Sequence, residues 1–281
     1  MHTGPEPTTT LPPRRTGFVD HDGESLYYEV VGEGHVPLVL SHGAGGNHAI
    51  WFQQVAVFAE DRAVVTWDHR GYGRSSDRAD RSGPDVAAGD LLAVCDHLGI
   101  ARADLVGQSM GGWSVVGAAL ARPTLARSLV LADTPAGFAT AAMAAHRAPG
   151  RTRVELVAGD RLGLHPAIDP SFTARQPALA HLYQTLGRMG SADPAVILPR
   201  LGATTHDASD AARLRMPVLC IVGDRDALVP PAVVHEVASL LADARVVEIA
   251  GSGHSPYFED PDAWNGALRR FLDDLDARPP S

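Results

Sequence analysis

Residues 103–121 read ADLVGQSMGGWSVVGAALA, with Gly107-Gln108-Ser109-Met110-Gly111 at their centre, a G-x-S-x-G pattern. The three residues before it, Asp104-Leu105-Val106, form a short strand-like run that is mostly apolar. The eleven that follow, 110–120, are small and apolar and long enough for a helix. Ser109 is therefore expected at a strand-to-helix turn, the context in which this pattern presents a serine hydroxyl. Such a turn leaves no room for side chains on its flanks, which accounts for a glycine two residues before and two after. The start of the following helix directs free amides and a positive dipole end at the same point. Two glycines and a serine at this spacing occur by chance in about one chain in ten of this length, so the surroundings decide the reading.

Working outward, short apolar runs alternate with helical ones. Residues 18–31 carry Asp22-Gly23 between two runs, a hairpin signal. PLVL at 37–40 predicts a buried strand, leading into Ser41-His42-Gly43-Ala44-Gly45-Gly46. A helix is expected over 50–60, a strand over 63–67, a helix over 84–98 and a strand over 128–132, ending at Asp133. The rhythm then stops. Helical patches at 139–148, 151–159, 171–189 and 195–201 are separated by prolines. It resumes with PVLCIV at 217–222, a helix over 232–241, a strand over 244–249 and a helix over 261–277. Continuous apolar strands alternating with helices predict a parallel sheet covered on both faces. In such sheets reactive groups gather beyond the carboxyl ends of the strands. His42-Gly43, Asp68, Ser109, Asp133, Asp226 and His254 all follow expected strands.

A serine hydroxyl needs a base in reach and a third group to orient that base. His254, in a glycine-flanked loop after the last strand, is the candidate base. Asp226 is the candidate acid, with Asp224 and Asp133 as competitors. The order Ser, Asp, His is the one that goes with a nucleophile elbow. An oxyanion would need two backbone donors, and Met110 N–H and Ala44 N–H are the candidates.

Composition narrows the alternatives. The chain has 281 residues, 45% of them hydrophobic, enough for one large domain with an insert. None is a lysine, so all 24 basic residues are arginine, which excludes Schiff-base chemistry and a P-loop lysine. A net charge of −9 without long like-charge runs argues against nucleic acid or an anionic membrane as partner. Cys95 and Cys220 fall in apolar elements and are expected as buried free thiols. His146, His165, His181 and His206 lack ligand spacing, so no metal is expected. Residues 1–16 are rich in proline and threonine and read as a disordered tail; there is no secretory signal and no span of 18 apolar residues. A cytoplasmic protein, monomer or homodimer, is the expectation.

Taken together, His42-Gly43-Ala44-Gly45-Gly46, Asp68-His69-Arg70-Gly71-Tyr72-Gly73-Arg74-Ser75, Gly107 to Gly112, Gly223-Asp224-Arg225-Asp226 with Pro230, and Gly253-His254 resemble the α/β-hydrolase fold family. The likeness is to its small capped members: lactonases, esterases, carbon–carbon bond hydrolases and cofactor-free perhydrolases. It implies a mostly parallel eight-stranded sheet, with a core over 17–136 and 216–281 and a helical cap over 137–215. It also implies a small acyl substrate and no cofactor. Asp226 is favoured as the acid because the family's acid falls three residues after the glycine. His42 is then expected to brace the oxyanion loop, and Asp68 and Arg70 to be structural. Ser109 disfavours the aspartate-nucleophile dehalogenases and epoxide hydrolases. Ser255-Pro256-Tyr257 after His254 departs from the tryptophan usual in ring-cleavage hydrolases. His42, Trp51, Trp113, Phe138 and Tyr183, with Leu182 and Met189, are candidate pocket residues; Trp113 reads first as core, and packing explains Trp51, Phe138, Leu182, Tyr183 and Met189 equally well.

Overall fold

A computed structural model describes residues 12–34, 36–148, 165–203 and 206–278. The chain begins with the expected hairpin, β1 (Arg14–His21) and β2 (Glu24–Val31), turning at Asp22 and Gly23 with φ of 49° and 78°. Arg14 to Thr16, which the sequence assigns to the tail, pair with Val31 to Glu29, so the ordered chain starts earlier than expected. The rest of the tail up to residue 11 lies outside the described residues. Then follow β3 (Leu38–Ser41), a 3-10 turn (His48–Trp51), α1 (Phe52–Phe58), β4 (Val64–Trp67), α2 (Pro84–His97), β5 (Ala103–Gln108), α3 (Gly111–Ala121) and β6 (Ala126–Ala132).

Between β6 and the next strand come α4 (Ala141–Arg147), α5 (Pro170–Arg175), α6 (Pro177–Leu186), α7 (Pro194–Ala203) and α8 (Ala208–Arg213). The expected helix over 151–159 lies outside the described residues. The expected helix over 171–189 is two helices. Gln176, at φ −132° and ψ 60°, breaks them, because the ring of Pro177 bars the residue before it from helical geometry. The chain closes with β7 (Val218–Gly223), α9 (Pro231–Leu240), β8 (Ala244–Ile249), α10 (Pro256–Glu259) and α11 (Pro261–Asp276). Among the described residues, no helix is long and apolar enough to cross a membrane.

The eight strands form one sheet in the order β1-β2-β4-β3-β5-β6-β7-β8. β1, β2 and β4 pair antiparallel, and every other neighbour is parallel. Alternate residues of the inner strands face opposite layers, as the period of two requires. Val39, Leu105, Leu129 and Cys220 pack under α2, α3 and α9, against Leu91, Val94, Val116 and Val234. Leu40, Val106, Val130 and Ile221 pack under α1 and α11, against Phe58, Trp264, Leu268 and Phe271. Cys95 and Cys220 are buried free thiols, as expected, and burial pushes both up to about 12. Arg70 is buried and forms a bidentate pair with Asp90 of α2 at 2.7 and 2.6 Å. It thereby ties the loop after β4 to the helix layer.

Register places the site. Ser41 lies opposite Gly107, Gln108 opposite Ala132, and Ala132 opposite Ile221. The four loops that leave these strands therefore start at one level, side by side, although their residues are up to 180 positions apart in the chain.

Candidate active site

Ser109 occupies the turn between β5 and α3 at φ 48°. An L-residue in this region costs about 1–2 kcal/mol, and the surroundings hold it there. Its N–H donates to Ala132 O at 2.9 Å, and its carbonyl accepts from Gly112 N at 2.9 Å and from Thr134 Oγ1 at 2.7 Å. A Cβ on Gly107 would lie 2.4 Å from Gly111 O, and one on Gly111 would lie 2.1 Å from Ser41 O. Steric necessity thus explains both glycines of the motif.

His254 and Asp226 are both buried, and His254 Nδ1 lies 2.7 Å from Asp226 Oδ2. The bond requires Nδ1 to carry its proton, which leaves Nε2 as the acceptor nitrogen. Asp226 Oδ1 accepts from Leu228 N and Val229 N at 2.8 and 2.9 Å, so its carboxylate is held by three donors. Asp224, the first competitor for the acid, instead accepts from Gly251 N at 2.7 Å. Two further side chains hold the histidine loop, and the sequence reading missed both. Gln108 Nε2, next to Ser109, donates to His254 O at 3.0 Å. Glu259 Oε1 accepts from Gly253 N and Ser255 N, one on each side of His254, while Oε2 accepts from Asp169 N at 2.9 Å. Burial pushes the Glu259 carboxyl up, against the three amides that favour its charge. The available signal for it was an acid one helical turn beyond the histidine loop.

The loop after β3 approaches from the other side. A Cβ on Gly43 would come within 2.1 Å of Gln108 Oε1 and 2.9 Å of Ser109 Cβ, so only glycine fits against the turn. Among the described residues, the amides of Ala44 and Met110 donate to no protein acceptor, as oxyanion donors must not. His42 is fully buried. Its Nδ1–H donates to Gly43 O at 2.8 Å, and its Nε2 accepts from His69 N at 3.1 Å. These bonds join the loop after β3 to the loop after β4. Asp68 accepts from His48 N and Arg74 N, gathering the loops after β3 and β4.

Burial pushes His42 down to about 4, with Asp68 opposing. Below an ordinary histidine value of about 6.5 the unfolded chain takes up a proton that the native His42 refuses, so stability falls as pH falls. The expected result is a loss of about 3 kcal/mol from this group between pH ~6.5 and ~4. Urea unfolding at several pH values checks it, with His42→Gln flattening the slope.

Asp133 stands one residue past β6 at φ 50°, fully buried, with Oδ1 accepting from Gly223 N at 2.9 Å. Asp133, Asp226 and His254 each offer a ligating atom within 4.8 Å of the others. These are donor types that suit a divalent ion, but His254 Nδ1 is already engaged with Asp226 as a proton donor. The arrangement is that of an acid–base pair with a second carboxyl beside it.

The helices between β6 and β7 cover this edge of the sheet. Ser191 N and Ala192 N donate to Gly71 O, Met189 O accepts from Gly73 N, and Leu186 O accepts from Asn47 Nδ2. Ile197 and Leu201 of α7 pack with Tyr72, Met110 and Trp113, against which Ala44 also lies. Of the candidate pocket residues, Tyr183 lies nearest the histidine loop, its hydroxyl 2.8 Å from Ser255 Oγ. Trp113 packs beside Met110. Phe138 stacks against His206 and belongs to the core under α3, and Trp51 packs against Tyr257 and Trp264 in the opposite core layer. Leu182 and Met189 are exposed. His165, which the sequence leaves without a role, packs its ring 5.1 Å from Tyr183, and its Nδ1 accepts from Ala167 N.

Residues 38–267 match the model of the alpha/beta hydrolase family. A protein of Azorhizobium caulinodans named carbamate hydrolase RutD is 31% identical over 270 residues, covering 91% of this chain and 98% of the relative. The enol-lactonase of Burkholderia xenovorans LB400 superposes with a TM-score of 0.75 at 25% identity, over 92% of this chain and all of the other. A thermophilic esterase of Thermogutta terrifontis shares the fold with a TM-score of 0.78 at 23% identity, over 93% of this chain and 99% of the other. The sheet order, the elbow and these matches agree that the chain belongs to the α/β-hydrolase family.

Proposed function

We propose that the protein is a serine hydrolase that opens carboxylic esters or lactones through an acyl-enzyme. The observation that carries this reading is the buried 2.7 Å bond between His254 Nδ1 and Asp226 Oδ2, tied through Gln108 to the turn that bears Ser109. In the proposed reaction His254 Nε2 takes the Ser109 proton as Oγ attacks the carbonyl carbon. Negative charge on the tetrahedral oxygen is met by the amides of Ala44 and Met110. His254 then returns the proton to the leaving alcohol. Water, deprotonated by the same nitrogen, attacks the acyl-enzyme and frees Ser109. Asp226 holds the imidazole in the tautomer that both steps need.

The helices between β6 and β7 act as the cap and shape the acyl site, with Tyr183, Trp113, Ile197 and Leu201 supplying apolar surface. The name of the enol-lactonase supports an ester or lactone. The 31%-identical relative named carbamate hydrolase supports a second reading, in which the same acyl chemistry acts on a carbamate. The test is labelling with a fluorophosphonate probe and location of the modified residue by mass spectrometry. A panel of p-nitrophenyl esters, simple lactones and carbamates follows. Ser109 is the expected site of labelling, with turnover of at least one ester or lactone. Absence of labelling in well-folded protein overturns the mechanism. Turnover of carbamates alone replaces the ester reading by the second.

A further inference from the structure

Two buried carboxyl groups lie together beside His254, and the proposed mechanism uses only one of them. Asp133 ends β6 and Asp226 follows β7. The parallel register of those strands, with Asp133 N donating to Ile221 O at 2.8 Å, sets the two side chains against each other. Three donors converge on Asp226: two backbone amides and the His254 ring. Among the described residues one donor, Gly223 N, reaches Asp133 Oδ1, while Oδ2 is buried with no hydrogen-bond partner. Carboxylates this close and out of water cannot both ionise. The charge settles where the donors are, and the proton stays on the other group. A protonated carboxyl also gives the orphaned oxygen something to do, because an O–H can donate to the neighbouring carboxylate.

The ionisable groups that act on Asp133 point the same way. They are Asp226 in the loop after β7, Glu259 and Tyr257 on α10, Tyr183 on α6 and His254 after β8. Of these only the imidazole can carry a positive charge, and its Nδ1 is hydrogen-bonded to Asp226. Burial, and then the Asp226 carboxylate, hold the Asp133 carboxyl well above the usual carboxylate range.

We infer that Asp133 is a carboxylic acid whose proton is donated to Asp226, making it a positioning residue that acts on His254 only through that carboxylate. The inference rests on the proposed roles of Ser109, His254 and Asp226. Its physical effect is on where the imidazole proton lies. A donor to Asp226 stabilises the charged carboxylate, so the proton between His254 and Asp226 stays on nitrogen throughout the reaction. The same donor fixes the Asp226 rotamer in a pocket that water would otherwise enter.

The test uses the rate at which a fluorophosphonate labels Ser109, followed across pH in the full chain. Asp133→Ala removes the donor and is expected to slow labelling by about tenfold. Asp133→Asn, which keeps an N–H donor and no charge, is expected to restore most of that rate and to leave the acid limb of the pH profile in place. Infrared spectra at neutral pH should show a protonated carboxyl band in the parent protein that Asp133→Asn removes. The inference is overturned if Asp133→Asn moves the acid limb to lower pH by about one unit, since deleting a negative charge beside an imidazole lowers its basicity. Absence of the infrared band overturns it equally. Loss of labelling with a chelator, restored by zinc, would replace it by a metal at the same three donors. Failure of the parent protein to label Ser109 sinks the serine-hydrolase reading instead, while the infrared band still answers for Asp133.

Discussion

Ser109→Ala is expected to lower kcat on an ester substrate on the order of a millionfold, with the protein still folded. The hydroxyl is the only atom lost that takes part in bond making. In the proposed mechanism no acyl-enzyme forms without it, and the reaction falls back on water attacking a carbonyl polarised by Ala44 N–H and Met110 N–H. That residual is not zero, since an intact oxyanion site and substrate binding still accelerate the reaction by about 10³–10⁴ over water. Burst kinetics with a chromogenic ester would show the loss directly, as the acyl-enzyme burst should vanish along with turnover. A companion variant tests the backbone argument. Ser109 sits at φ 48°, where a Cβ is unfavourable. Ser109→Gly should therefore be as inactive as the alanine variant yet more stable to urea by about 1 kcal/mol. Full activity in either variant would remove Ser109 from the mechanism.

His254→Ala is expected to lower kcat by a similar factor, again on the order of a millionfold, because in the proposed mechanism serine and histidine act as one unit. Combining it with Ser109→Ala should add almost nothing, and that non-additivity is the measurement of interest. If the double variant were far less active than either single one, the two residues would be acting independently. His254→Ala should also cost stability where Ser109→Ala does not. It leaves Asp226 Oδ2 buried without its imidazole donor, while Oδ1 keeps Leu228 N and Val229 N. An unsatisfied buried acceptor costs about 1–3 kcal/mol, which a urea midpoint will register.

Much of this was legible because it is local. Strand runs such as PLVL and PVLCIV, the Asp22-Gly23 turn and the two glycines around Ser109 each carry their structural reason within a few residues. Ser109, His254 and Asp226 could be singled out because each follows a strand. What escaped was lateral. Nothing near Asp133 in the chain says that β6 and β7 align so that its carboxyl meets Asp226 across 93 residues. Glu259 belongs to a four-residue helix with no periodicity to read, and its partners are backbone amides, which no sequence pattern marks. The region between β6 and β7 was legible as helical and little more. Short helices leave few turns over which an apolar face can declare itself. Even so, Asp207-Ala208-Ser209-Asp210 was a readable start signal: α8 begins there with a reciprocal capping box.

The way the helices between β6 and β7 are fastened bears on how this enzyme can change over time. Glu259 grips the peptide N–H of Asp169, and Gly71 O holds the peptide N–H groups of Ser191 and Ala192. These bonds use the main chain of the insert, although Arg225 also reaches the side chains of Asp169 and Ser171. At Ser191 and Ala192 the side chain can change, one substitution at a time, without loosening the bonds to Gly71 O. A lineage could thus explore new substrates by altering residues such as Ile197 and Leu201 while the reaction centre beneath stays as it is.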